Sequence, residues 1–207
     1  MEDLVKPNAA SIVTVSVVAV LTAAVSAQQP AESIPELLRS SGSFERVIVT
    51  SYEPLQLADL VGRADVIVEA STTGGRSFLG QNETEIFTDY PFQVHSVIKN
   101  SRYPELRVGH TITVRRNSGM VVLDGHAAVE QENDFPLFEK SERYILFLTR
   151  PRGESTYYVF GGPQGAFTLR DRVKQMSTEL NDWTMKHGDV ANAAFLDELK
   201  ALLKFSS

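Results

Sequence analysis

Residues 91–99, PFQVHSVIK, set Phe92, Val94 and Ile98 against Gln93, His95 and Lys99. A strand turns successive side chains to opposite faces, so this alternation makes one apolar face and one wet face. The pattern recurs along the chain. HTITVRR repeats it with Ile112 and Val114 inward and Arg115 outward, and FERVIVTSY and DVIVEASTT are β-branched runs. TYYVF and AFTL read as two more short strands. RYILFLT has apolar residues on both faces, which predicts a central strand covered on both sides. Short strands divided by Gly and Pro turns close as a sandwich or a barrel.

Three segments break the period of two. PELLRS has room for one helical turn, and LQLADLVGRA after Pro54 places Leu57, Leu60 and Val61 on one helical face, with Gly62 as a stop. VANAAFLDELKALLK, with Asp189 as a cap, places Phe195, Leu199 and Leu202 on one stripe. The expectation is a mainly β protein: an OB-like barrel of five to six strands with a long inserted loop, a short helix on its N-terminal side and a C-terminal helix. The domain reading runs 1–27 signal peptide, 28–43 flexible lead-in, 44–174 barrel, and 175–207 helical extension packed on the barrel.

The leader rests on Ala9–Ala27, AASIVTVSVVAVLTAAVSA, which has no charge and ends in the small residues that signal peptidase accepts. Cleavage before Gln28 and a secreted or periplasmic location are expected; an uncleaved anchor is the alternative, since the stretch nearly spans a bilayer. The chain has no cysteine, which excludes a thiol nucleophile, a thiolate zinc site and disulfide staples. A net charge of −6 without a basic stripe speaks against nucleic acid as a partner.

Six groups of residues could carry chemistry. GGPQGAF, residues 161–167, holds Gly161, Gly162 and Gly165. A phosphate loop needs a helix after its glycines and a neighbouring Lys, whereas AFTL follows here, so the glycines are expected to serve a turn. Ser96 and Lys99 match S-x-x-K, but residues three apart on a strand face opposite ways. His110, Asp124 and His126 lack the fixed spacing of metal ligands. VEQENDFPLFEK, residues 129–140, lacks the alternating order of a calcium loop and reads as a solvated loop. Arg115, Arg116, Arg150 and Arg152 read as surface charge, and Phe78, Phe87, Phe92 and Tyr90 as core aromatics.

ADVIVEAS, TDYPFQVHSVIKN, KSERYILFLTR and GGPQGAFTL, in that order, resemble the netrin-like modules, the OB-type barrels of tissue inhibitors of metalloproteinases and of complement C-terminal domains. The same strand phrases look like those of exported bacterial proteins without assigned function. The resemblance implies the barrel. It does not carry over the inhibitors' mechanism, because their amino-terminal cysteine and disulfides have no counterpart here.

No catalytic, cofactor, metal or binding residue is singled out. The leading expectation is an exported, non-catalytic binding module that meets a protein or polymer of the envelope. Its rivals are a hydrolase whose site is assembled from scattered residues and a structural envelope component. An exposed apolar patch would favour binding, and a deep cleft with convergent polar groups would favour catalysis.

Overall fold

The computed structural model describes residues 32–177 and 190–205. The leader expected at 1–27 and the cap expected at Asp189 lie outside the described residues.

Five strands close a barrel. β2 (Val66–Thr72) pairs with β4 (Ile86–Asn100), which pairs with β5 (Thr111–Arg116). β5 runs parallel to β9 (Thr156–Val159), which pairs antiparallel with β8 (Arg143–Thr149), and β8 returns to β2. Counted along the barrel chain the order is 1-2-3-5-4-1, with the third and fifth strands parallel, which is the OB arrangement. Register shifts opposite Ile67/Val68 and Glu69/Ala70 leave one extra residue each in β4, and these two bulges bend β4. β3 (Arg76–Leu79) pairs with the first half of β4. β10 (Ala166–Leu169) shares an edge of β8 with β9 and leads on to β11 (Arg172–Gln175) and β12 (Val190–Ala191).

β8 is the covered strand that RYILFLT predicts. Tyr144, Leu146 and Leu148 point into the barrel with Val66, Val68, Phe92, Val94 and Val114. Ile145 and Phe147 face outward beneath α2 (Leu57–Arg63) and α3 (Asn192–Phe205). Leu60 and Val61 of α2 and Phe195 and Leu199 of α3 are fully buried there, each side chain contributing about 1.5–3 kcal/mol of burial. The last helix begins at Asn192, two residues later than its periodicity suggests, because Val190 and Ala191 pair with Val173 and Arg172.

Within the stretch read as a lead-in, α1 (Ile34–Ser41) forms a full helix. Ser33 and Glu36 make a capping box, and Gly42 ends the helix at φ 77°. The inserted segment is ordered too. β6 (Gly119–Leu123) and β7 (His126–Glu132) make a hairpin, and β1 (Phe44–Ile48) joins β7 in parallel, giving a second, three-stranded sheet. Ile34 and Leu38 of α1 pack with Ile86, Val121 and Ala128 on its inner face.

Candidate functional site

The inserted sheet owes its shape to two residues at its tip. Asp124 (φ 50°) and Gly125 (φ 82°) form the two-residue turn of the hairpin, the left-handed pair that matches strand twist. Alternation then sorts the side chains. Val121, Ala128 and Glu130 point inward and are buried, whereas Met120 and Val122 point outward. Glu45 pairs with Val129, and Val129 with Met120, so these three form one outward row. Val47 sits opposite Gln131 in the next row.

The outward face is apolar to an unusual degree. Among the described residues seven large hydrophobics are exposed, and Val47, Val49, Met120, Val122 and Leu137 lie on or beside this sheet. Between Met120, Val129 and the segment Phe135–Leu137 runs a groove of about 310 Å³. Ser118 lines it; its hydroxyl is buried and has no hydrogen-bond partner among the described residues.

The stretch 129–140, expected as a solvated loop, is instead a strand followed by a buried plug. Glu130 is 1% exposed and accepts from Arg46 Nη2 at 2.7 Å and from the Ile86 amide at 3.2 Å. Asp134 accepts from Ser177 Oγ at 2.8 Å. Phe135 and Phe138 enter the barrel core, where Phe138 meets Tyr90, Phe92 and Tyr144 edge-on. Its buried acids are ordered because distant segments bring each a donor, Arg46 and the Ile86 amide to Glu130 and Ser177 to Asp134, which composition could not reveal.

Arg116 corrects a second expectation. It is buried, not surface charge. Its guanidinium donates to the carbonyls of Phe135 and Pro136 and lies 3.5 Å from the Phe135 ring centroid. Glu132 pairs with it at 3.3 Å and accepts the Tyr52 hydroxyl through its other oxygen. Burial pulls the Arg116 guanidinium below its ordinary range, against the pull of Glu132. Burial, reinforced by the carboxylate beside it, pushes the Tyr52 phenol far up. These groups line a cleft of about 210 Å³, but they bind one another and pin the plug to the barrel mouth. Arg115, its neighbour, grips Asp89 through two hydrogen bonds and stacks on Phe78 and Phe87. Phe92 and Tyr90 are core, as their strand position predicts. Arg150 lies over Tyr103 and bonds Glu105.

GGPQG is a turn. Residues Gly162–Gly165 make one 3₁₀ turn between β9 and β10, with Gly161 at φ 73° and Gly162 at φ 58°. Gln164, buried inside it, accepts from the Leu55 amide at 2.8 Å and donates to the Glu53 carbonyl at 2.9 Å. Lys99 spends its ammonium on the carbonyls of Val61 in α2 and of Ala64 just past its end, each at 2.7 Å, and does not assist Ser96. His126 bonds the Gly42 carbonyl at 2.8 Å, Asp124 forms the hairpin turn, and His110 sits beside Glu105 at the barrel's end. Among the described residues no three His, Asp or Glu side chains gather as a metal would require.

One constellation had no sequence signal. Ser71 Oγ on β2 and His95 Nε2 on β4 lie 2.7 Å apart on the barrel surface, next to an ion pair of Glu69 with Arg143. A serine and an imidazole at that distance are the start of nucleophilic chemistry. The pair stands on an open sheet face, with His95 exposed, and no third side chain is shown orienting the imidazole.

No family model fits the chain, and no curated protein matches it.

Proposed function

We propose that the protein is an exported, non-catalytic binding module that meets its partner through the outward face of the inserted sheet. One observation carries this reading: the exposed large hydrophobics of the described chain concentrate on that face and do not scatter over the surface. The polar groups of the neighbouring cleft are occupied in internal bonds, which leaves them little to offer a reacting substrate. Export follows from the uncharged stretch Ala9–Ala27 and its small-residue end. Membership of the netrin-like modules is part of the same proposal; the OB order of the barrel supports it.

Affinity capture from the source's envelope extract tests this, run in parallel with the wild-type chain and with Met120→Glu. A component retained by the first and lost by the second is the expected result. Equal capture by both would move the binding site elsewhere.

The second reading, a hydrolase, is favoured by the Ser71–His95 contact alone. Covalent labelling of Ser71 by a fluorophosphonate would establish it.

A further inference from the structure

The end of the barrel opposite the inserted segment holds a cleft of its own. β5 starts there at Thr111 and leaves for the insert from its other end, at Arg116, and the link from β8 to β9 borders the same cleft. The ladder between β5 and β9 begins only at Thr113 and Thr156. The His110 carbonyl accepts from the Val94 amide of β4 at 2.9 Å, so by alternation Thr111 turns its amide and carbonyl toward the β9 side, where no strand stands opposite it. The barrel wall has a gap at this point, and the cleft, of about 290 Å³, lies in it. Small-molecule sites run from about 300 to 1,000 Å³, so this one takes a single small unit.

The floor is apolar and the rim polar. Leu106, Ile112 and Tyr157 line the cleft from the barrel core, and Thr111, Ser155 and Glu105 bring oxygens to its edge. Tyr157 is only 3% exposed, yet its hydroxyl makes no hydrogen bond among the described residues. Burial raises this phenol, so it keeps its proton and stands as a donor without an acceptor.

Arg150 is set in place beside it. Its amide bonds Asp65 Oδ2 at 3.4 Å, and its carbonyl accepts the Tyr103 hydroxyl at 2.9 Å. The guanidinium lies 3.7 Å from the Tyr103 ring centroid and 5.1 Å from that of Tyr157, and Nη2 donates to Glu105 at 3.0 Å. The Glu105 side chain is 60% exposed, and a pair so exposed holds weakly. A ligand carboxylate can replace it on the guanidinium fork.

Charge favours such a ligand. The two loops at this end, residues 101–110 and 150–155, carry Arg102, Arg107, Arg150 and Arg152 against Glu105 and Glu154, in a chain of net charge −6. Arg102 is taken by Asp65, whereas Arg107 and Arg152 make no ion pair among the described residues. Their field draws an anion to the cleft. Inorganic phosphate would meet the charge and leave the apolar floor bare. A sugar ring lays C–H groups on that floor and offers hydroxyls to the rim.

We propose that this cleft binds a sugar acid, with its carboxylate on Arg150, the ring over Leu106 and Ile112, and a ring oxygen accepting from Tyr157. The cleft shares no residue with the outward sheet face, so the proposal stands or falls apart from the binding-module reading.

The test uses protein purified after expression of the full chain and saturation-transfer NMR at millimolar ligand. The probes are D-galacturonate and D-glucuronate, their neutral counterparts D-galactose and D-glucose, and N-acetylalaninate as a carboxylate without a sugar ring; inorganic phosphate serves as competitor. At least one uronate is expected to bind saturably and about fivefold more tightly than its neutral sugar. Arg150→Met should weaken that uronate about tenfold and leave it no better than the neutral sugar. Tyr157→Phe should weaken both about threefold. Glu105→Gln frees the guanidinium and removes a like charge, so it should strengthen the uronate about twofold. Circular dichroism checks the fold, and the exposed change Arg107→Gln reads the same field, with about twofold weakening, should Arg150→Met not fold. Binding of neither uronate, or of uronate and neutral sugar alike, overturns the proposal. N-acetylalaninate binding as tightly as the uronate does so too, since the occupant is then any carboxylate, a peptide end included. Complete displacement of the uronate by equimolar phosphate, or binding unchanged by Arg150→Met, has the same consequence.

Discussion

Arg116 and Glu132 meet at 3.3 Å with side chains only 2% and 7% exposed, and the carboxylate also holds the Tyr52 hydroxyl. A buried ion pair adds little over well-packed apolar residues, yet removing one partner strands the other charge. Glu132→Gln should therefore lower unfolding free energy by about 3–5 kcal/mol in urea titrations, and Arg116→Met combined with Glu132→Leu should recover most of that loss. A double variant as unstable as the sum of its singles would show that the pair acts through its carbonyl contacts and not through charge.

The barrel was legible because its signals are local. Alternation in 92–98 and two-sided apolarity in 143–149 report burial directly, and both segments take the predicted places. The hairpin at 119–132 has its turn written as Asp124-Gly125 between apolar runs, but the same aspartate between two histidines also reads as a possible metal ligand, and the two signals compete. The buried state of Arg116 and Glu130 could not be read at all. Each depends on a donor or acceptor brought from a distant strand, and single-residue polarity predicts the opposite. The Ser71–His95 contact likewise exists only through the β2–β4 register.

Alkaline pH should unfold the protein. Burial raises the phenols of Tyr52, Tyr90, Tyr144, Tyr157 and Tyr158, Tyr144 up to about 12. A group with a raised folded value keeps its proton while the unfolded chain gives its own up. The stability it contributes is complete below about pH 10 and is lost as pH climbs through the folded values. Denaturant titrations should show constant tyrosine contributions up to about pH 10 and a steady fall above it, shallower in Tyr52→Phe. A stability that rises above pH 10 would contradict the burial of these phenols.

Ser71 should not react. The pair is exposed on a sheet face, where water screens the charge that a nucleophilic step would develop, and among the described residues no side chain is shown orienting the imidazole. Incubation with a fluorophosphonate should leave the intact mass unchanged. A mass gain that disappears in both Ser71→Ala and His95→Ala would make the protein a hydrolase.

Processing gives a direct readout of export. Mass spectrometry of protein collected outside the cytoplasm should find a chain starting at Gln28, with or without cyclisation of that glutamine. Recovery of residues 1–27 still attached in a membrane fraction would establish the anchor instead.

The glycines of GGPQG should report as stability and not as ligand affinity. Gly161 and Gly162 sit in the left-handed region, where a side chain costs about 1–2 kcal/mol. Space adds to that differently at each position. A Cβ at Gly165 would overlap the Phe160 carbonyl oxygen, which is backbone and cannot rotate away, and one at Gly162 would enter the Tyr52 ring. Gly153, at φ 88°, has nothing within 4 Å of the same added atom and isolates the conformational cost. Gly153→Ala should thus lose about 1 kcal/mol, and Gly165→Ala clearly more, since overpacking a closed site adds about 1–3 kcal/mol. Gly162→Ala should also displace Tyr52 and weaken its bond to Glu132, so its effect should shrink when combined with Tyr52→Phe. Thermal unfolding resolves these ranks, because about 1 kcal/mol moves the midpoint by about 2–4 °C in a chain of this size. A ligand bound only by the folded state must raise the midpoint, so phosphate and nucleotides should leave it unchanged. An upward shift with nucleotide that Gly165→Ala removes would make this turn a phosphate loop after all.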